Sequence, residues 1–352
     1  MHFSSRVDIS APNPIAAAEA AAKANGIALS KLNDSNPTRH GLAPELVPSV
    51  YTADPRGPRA AREALAAFLN TANVVDASSP QLASPAAIEG GNERHAAFNN
   101  ANTAIEGVDP DVLYLLSSTS EAYSWLIKLL CDAGDAVLAP KPGYPLIESI
   151  ARLECVDTVE YQLQFDGSWF IDIAELERLL SEPGGERIRA LVLINPNNPT
   201  GRTAQPELLR EIVRKCTENG VKLVVDECFN DFLEDAAQHT LKDLLESDPG
   251  LIILRAYTKM YAVPGVRFGW CMTADAALIE KLYHAGQPWN VSVIAQACAV
   301  AAANEPDWAT ETAKRIAEER GFLSDGLAAH GLTVFPGEAN FLLFRSNDTG
   351  LH

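Results

Sequence analysis

The strongest constraint on how this chain can fold is an alternation that begins at Val112. Short apolar runs recur at VLYLL (112–116), DAVLAP (135–140), VDTVEYQL (156–163), RALVLI (189–194), VKLVVDE (221–227) and LIILRAYT (251–258), with segments of helical period between them. Runs that are apolar throughout, rather than at every second residue, indicate strands buried on both faces. They predict an α/β body: a large domain with a mostly parallel sheet covered by helices on both faces. In such sheets, side chains with chemistry to do collect beyond the carboxyl ends of the strands.

The punctuation agrees with this reading. Helices are predicted over 117–134, ended by Gly134, over 142–154, over 171–182, and over 206–220 between Pro206 and Gly220. Upstream, residues 11–26 read as an arm and a helix stopped by Gly26, 31–50 as a surface loop, and 58–70 as a helix behind a turn that starts at Tyr51. Residues 76–108 are rich in Ala, Ser, Asn and Gly and read as a surface insertion with no function attached. Past Trp270, helices are predicted near 275–285, 292–303 and 306–330, then two short strands within 331–347. That change of texture suggests a smaller α+β domain built from the N-terminal arm and the C-terminal part. The expected division is 1–50 for the arm and part of the small domain, 51–285 for the large domain, and 286–352 for linking helices and an incomplete small domain.

Composition narrows the partners. The 352 residues carry a formal charge of −18, which repels phosphate backbones and anionic lipid, so neither nucleic acid nor membrane is expected. Six cysteines at 131, 155, 216, 228, 271 and 298 form no CxxC pair and sit mostly in apolar runs, as reduced thiols of a cytoplasmic protein do. No secretory signal pattern and no membrane-length apolar run is visible. The seven histidines show no metal-ligand spacing, so no metal is expected, and the GxxxxGK[ST], GxGxxG, HExxH and GxSxG signatures are missing.

The strand ends carry the candidate chemistry. Lys259 follows the run Leu251–Thr258 with little polar company; desolvation there would favour the neutral amine, a nucleophile toward carbonyls. Arg267, further on, offers a permanent cation to an anionic group. A lysine snorkelling from a strand end is the plain alternative. Ser118, Thr119 and Ser120 open a helix, where free N–H groups bind phosphate, although serine there is also an ordinary cap. Tyr144, between Pro142 and Pro145, presents a flat face suited to stacking on a ring, or a plain turn tyrosine. The heptamer NPNNPTG (195–201) is a rigid turn that fixes Asn198 as a donor. Asp226, directly after VKLVV, is either a turn former or the partner of a cationic heterocycle.

Taken in order, NPNNPTG, VVDECF and AYTKMYAVPGVRFGW, together with STSEAYSWLIKLL and YTADPRGPRAAREALAAF, resemble the fold-type-I pyridoxal-phosphate (PLP) aminotransferases of classes I and II, over about 51–344. The resemblance implies PLP as cofactor, with Lys259 as the Schiff-base lysine and Asp226 as the carboxylate that keeps the pyridine nitrogen protonated. It further implies Asn198 on the ring hydroxyl, Tyr144 stacked on the ring, Ser118, Thr119, Ser120 and Arg267 around the phosphate, and Tyr51 reaching the phosphate of a neighbouring subunit in a homodimer. Three departures stand out. Phe229 replaces the family's tyrosine after the aspartate, Ala256 replaces its serine before the lysine, and the C-terminal arginine expected to hold the substrate carboxylate has no counterpart before His352. Arg39 and Asn340 are the remaining candidates for substrate contact.

The reaction implied is transamination between an L-amino acid and a 2-oxo acid. Decarboxylation of a phosphorylated amino acid or β-elimination on the same scaffold is the enzymatic alternative, since DECFNDF before YTKMYAVPGVRFG also resembles the histidinol-phosphate aminotransferase and threonine-phosphate decarboxylase branch. A cofactor-binding relic without turnover is the non-enzymatic one.

Overall fold

The computed structural model describes residues 14–28, 54–71 and 108–346. The predicted insertion 76–108 therefore lies, except for Val108, outside the described residues, as do Arg39 and Tyr51. In chain order the elements are α1 (Pro14–Ala24), α2 (Arg59–Thr71), β1 (Leu113–Leu116), α3 (Thr119–Leu130), β2 (Ala136–Lys141), α4 (Leu146–Leu153), β3 (Asp157–Phe165), β4 (Trp169–Ile171), α5 (Ile173–Ser181), β5 (Ile188–Ile194), α6 (Pro206–Glu218), β6 (Lys222–Asp226), α7 (Ala236–His239), β7 (Leu251–Ala256), β8 (Gly269–Met272), α8 (Ala276–Ala285), α9 (Val293–Ala303), α10 (Pro306–Ala329), β9 (Thr333–Phe335) and β10 (Leu343–Arg345).

Eight strands form one sheet in the order β1-β8-β7-β6-β5-β2-β3-β4. The run from β7 through β6, β5 and β2 to β3 is parallel. Two strands depart from the expected parallel order. β8 lies antiparallel between β1 and β7, and β4 turns back along β3 as a hairpin. Neither shows in the apolar pattern, because each is a short strand of three or four residues reached by a loop. A short hairpin return needs no helical crossover. The predicted helix over 117–134 ends at Leu130, four residues before Gly134, whose φ of 91° serves the turn into β2 instead.

The core explains the sheet. Every residue of β5 except Arg189, and all of β6 and β7, are buried. One cluster, with Leu191, Leu193, Val225 and Ile253, packs under α2, α5 and α6; the other, with Val192, Val224, Ile252 and Leu254, packs under α3 and α8. Alternate residues of the same strands thus serve opposite faces. The small sheet β9–β10 is tied to the body by aromatic contacts, with Phe335 meeting Phe165 at 5.3 Å and Trp169 at 6.1 Å between ring centroids. Among the described residues no helix is long and apolar enough to cross a membrane.

Ile253 is fully buried in the centre of the sheet. Ile253→Ala removes buried methylenes and leaves a cavity, so a loss of about 2–5 kcal/mol is expected, read as a lower denaturation midpoint with an unchanged slope.

Candidate active site

The parallel run aims its carboxyl ends at one place. β6 ends on Asp226, β7 ends on Ala256 shortly before Lys259, β5 ends on Ile194 and enters NPNNPTG, and β1 leads through Ser117 into α3. Around these ends lies a cavity of about 230 Å³ lined by Ser118, Thr119, Ser120, Tyr144, Asn198, Asp226, Lys259 and Arg267, with Ile194, Cys228, Phe229, Ala256, Thr258 and Pro264 completing the wall. The structure therefore brings together eight residues picked from the sequence, drawn from positions 118 to 267.

The carboxylate sits at the back. Asp226 is 7% exposed. Its Oδ2 accepts from the Tyr123 hydroxyl at 2.6 Å and its Oδ1 from the Cys228 backbone N–H at 2.9 Å. Burial, and then the charge of Asp226, push the Tyr123 phenol far above its ordinary range, so it stays a proton donor. Burial first and Asp226 second do the same to the Cys228 thiol, which donates to Thr119 Oγ1 at 3.4 Å. Glu227 turns the other way. Its carboxylate takes Arg255 at 2.7 Å, the Thr240 hydroxyl at 2.8 Å and the Leu241 N–H at 2.9 Å, a buried lock beneath the ends of β6 and β7.

At one end of the cavity lies the start of α3, which suits an anion. The N–H groups of Thr119 and Ser120 lie in the first turn, where a helix offers donors without internal partners. Ser118 works as the plain reading of a helix-start serine has it: its Oγ accepts from Glu121 N at 3.1 Å. That leaves its single O–H proton as its contribution to the cavity. Glu121 in turn accepts from Ser117 N at 2.8 Å and from the Asn290 amide, which fixes the approach to the helix. Gly269 makes room for this end: a Cβ there would stand 3.2 Å from the Ser118 Cα and 3.1 Å from the Arg255 carbonyl oxygen.

Lys259 and Arg267 occupy one loop. Both are exposed, so the desolvation expected for Lys259 is not what this chain shows; the amine stands at the open side of the cavity rather than in the core. Ala262 and Arg267 hold left-handed backbone, at φ 52° and 60°, a conformation that costs a non-glycine residue about 1–3 kcal/mol and that clusters at functional sites. Arg267 donates to the Pro264 carbonyl at 3.1 Å, which orients its guanidinium.

The NPNNPTG turn is held from within. Asn195 accepts from Ala204 N at 2.9 Å and donates to the His239 carbonyl at 3.1 Å, while Asn197 accepts from Thr200 N at 3.2 Å and Thr200 Oγ1 at 3.0 Å. With its neighbours committed, Asn198 presents a half-buried amide to the cavity. Glu338 clamps the turn from the small sheet's loop by pairing with Arg202 at 3.1 Å and accepting from Thr203 N at 3.1 Å, while its own N–H donates to the Gly201 carbonyl at 2.7 Å. Phe341, in the same loop, meets Phe229 edge-on at 5.0 Å. Asn340, beside it, is exposed and is not part of the cavity wall. Sequence reasoning missed Tyr123, Cys228 and Thr258. Tyr123 gave one signal, standing one helical turn beyond Thr119 on the helix that opens with the candidate serines.

The comparisons with known proteins converge on this architecture. A family model described as aminotransferase class I and II matches residues 68–349. An aromatic amino acid aminotransferase of Cutibacterium acnes is 27% identical over 242 residues, 69% of this chain and 66% of that protein. A threonine-phosphate decarboxylase of Salmonella typhimurium is 32% identical over 188 residues, 53% of this chain and 49% of that protein. The chain thus spans just under two thirds of the first relative's length and about half of the other's. A solved variant of Thermus thermophilus aspartate aminotransferase superposes with a TM-score of 0.68 at 21% identity, covering 88% of this chain and 76% of that one, which establishes likeness of fold.

If the start of α3 and Arg267 form an anion site, Arg267→Ala should weaken binding of PLP by about tenfold or more, the worth of a hydrogen bond to a charged group, while leaving the affinity for pyridoxal, which lacks the phosphate, unchanged. Equilibrium absorbance titration of both ligands checks this.

Proposed function

The chain belongs to the class I and II aminotransferases, and on that premise we propose that it carries out PLP-dependent transamination between an L-amino acid and a 2-oxo acid. The observation that carries the reading is the joint placement of an amine, a buried carboxylate and a helix N-terminus around one cavity. The residues fit PLP. Asp226 has a donor on each oxygen and further lone pairs for a ring N–H, α3 and Arg267 suit a dianion, Tyr144 supplies a flat wall, and Asn198 supplies an amide donor. Thr258, beside Lys259 in the wall, provides a hydroxyl at the end where Ala256 has none.

Bound PLP supplies an aldehyde that condenses with amines and a protonated ring that takes up the electron pair of a broken Cα–H bond. Lys259 would hold the cofactor through its Nζ, then, displaced by the substrate amine, take the α-proton as base and return it as acid. Asp226 would hold the ring's proton. The Thr119 and Ser120 N–H groups with Arg267 would anchor the phosphate. Phe229, also in the cavity wall, offers no hydroxyl to the ring oxygen, so Asn198 would hold it without that second donor. The working unit on this reading is a homodimer, checked by sedimentation.

Lys259→Ala should abolish the visible absorbance of the cofactor held by that residue. It should also lower turnover by at least the 10²–10⁴-fold, roughly, that acid–base catalysis contributes. Wild-type turnover in that variant would defeat the assignment. The reaction type is read by incubating the protein with amino acids and 2-oxoglutarate: glutamate identifies transamination, CO2 decarboxylation, and ammonia elimination.

A further inference from the structure

A closed loop of contacts joins the two ends of the cavity. Tyr123 donates to Asp226 at 2.6 Å, the Cys228 N–H donates to the other oxygen of Asp226 at 2.9 Å, and the Cys228 thiol donates to Thr119 at 3.4 Å. Thr119 returns to Tyr123 along one turn of α3, because residues four apart lie on the same face of a helix. The circuit contains the first residue of the helix that faces the anion and the carboxylate at the far wall. Its shortest link is an O–H···O⁻ bond, the strong charge-assisted class. Both link residues are wholly or nearly buried, at 1% exposure for Tyr123 and 8% for Cys228.

We propose that Tyr123 is a positioning residue for Asp226: it fixes which lone pairs of the carboxylate face the cavity and sets the span between that carboxylate and the N-terminus of α3. The assignment rests on reading the cavity as a PLP site. Burial alone would make a carboxylate costly to keep charged; a phenol that cannot itself ionise there offsets that cost without adding a second charge. A cation in its place would neutralise Asp226 and remove its attraction for a ring N–H⁺. Both donors named above are neutral, so the negative charge remains available to the cavity. Among the described residues, the other titratable groups bearing on Tyr123 are Cys228 beyond β6 and Tyr144 from the loop after β2, while Lys259 and Arg255 interact with Cys228. Glu227 points away to Arg255.

The test is the pH dependence of PLP binding, with the dissociation constant measured by titration from pH 8 downward in wild type and Tyr123→Phe. A carboxylate that has lost a donor takes up a proton more readily, and protonated it no longer attracts the ring N–H⁺. The pH below which affinity falls should therefore lie higher in Tyr123→Phe than in wild type. Ionisations of PLP itself are common to both proteins and cancel in the comparison. Replacing Tyr123 by 3-fluorotyrosine, a more acidic phenol of nearly the same size, should move the limb downward; if Tyr123→Phe fails to fold by circular dichroism, this variant decides alone. A merely structural role would weaken binding equally at every pH and leave the limb in place, which would overturn the proposal. Wild-type protein that binds no PLP at all would overturn the cofactor reading and this inference with it. Binding by wild type with an unmoved limb in the variants would overturn this inference alone.

Discussion

Strands β5, β6 and β7 are buried on both faces, and that burial governs where everything else can be. A polar side chain in their middle would be unpartnered, so the polar groups appear where the strands stop. Because these strands run parallel, they stop at the same edge of the sheet. Asp226, Lys259 and the NPNNPTG turn are far apart along the chain and become neighbours for this reason alone. β8 completes the arrangement from the opposite direction: running antiparallel between β1 and β7, it brings Gly269 against Ser118, so that α3 starts close to the sheet.

Around that edge the protein uses locks of different kinds. Glu227, Arg255 and Asp231 form a charged lock under the ends of β6 and β7, with bonds of 2.7–3.0 Å. Such a pair is stable when its hydrogen-bonding capacity is filled, and Glu227 is filled by Thr240 and Leu241 as well. On the cavity side of the same strand ends, among the described residues, Asp226 takes neutral donors and no cation. Adjacent residues 226 and 227 thus share a backbone and serve opposite purposes. The loop of the small sheet adds a third lock, Glu338 on the 201–203 backbone and side chains, which carries Phe341 to Phe229 and so ties the second sheet to the wall of the site.

Much of this was legible beforehand. The apolar runs placed six strands, and Pro and Gly placed most helix boundaries within a few residues, because burial on two faces and backbone conformation are local properties written in residue type. The antiparallel strands β4 and β8 were not legible. Each is too short to declare a period, and its direction depends on which neighbour it finds. The exposure of Lys259 was not legible either, since a buried strand before it says nothing about where the loop after it turns.

The sequence by itself determined the composition of the site: an amine, a carboxylate, hydroxyls at a helix start, an amide in a rigid turn and a cation, each after its own element. It determined them because each is set by a local pattern of a few residues. Only the tertiary structure decided the partners. That Tyr123 rather than a charged residue meets Asp226, that Cys228 closes onto Thr119, and that Phe341 rather than Asn340 reaches the wall are distances between segments up to 112 residues apart in Phe229 and Phe341. No local pattern encodes such a distance; it exists only once the strands have stacked in register and brought their ends together.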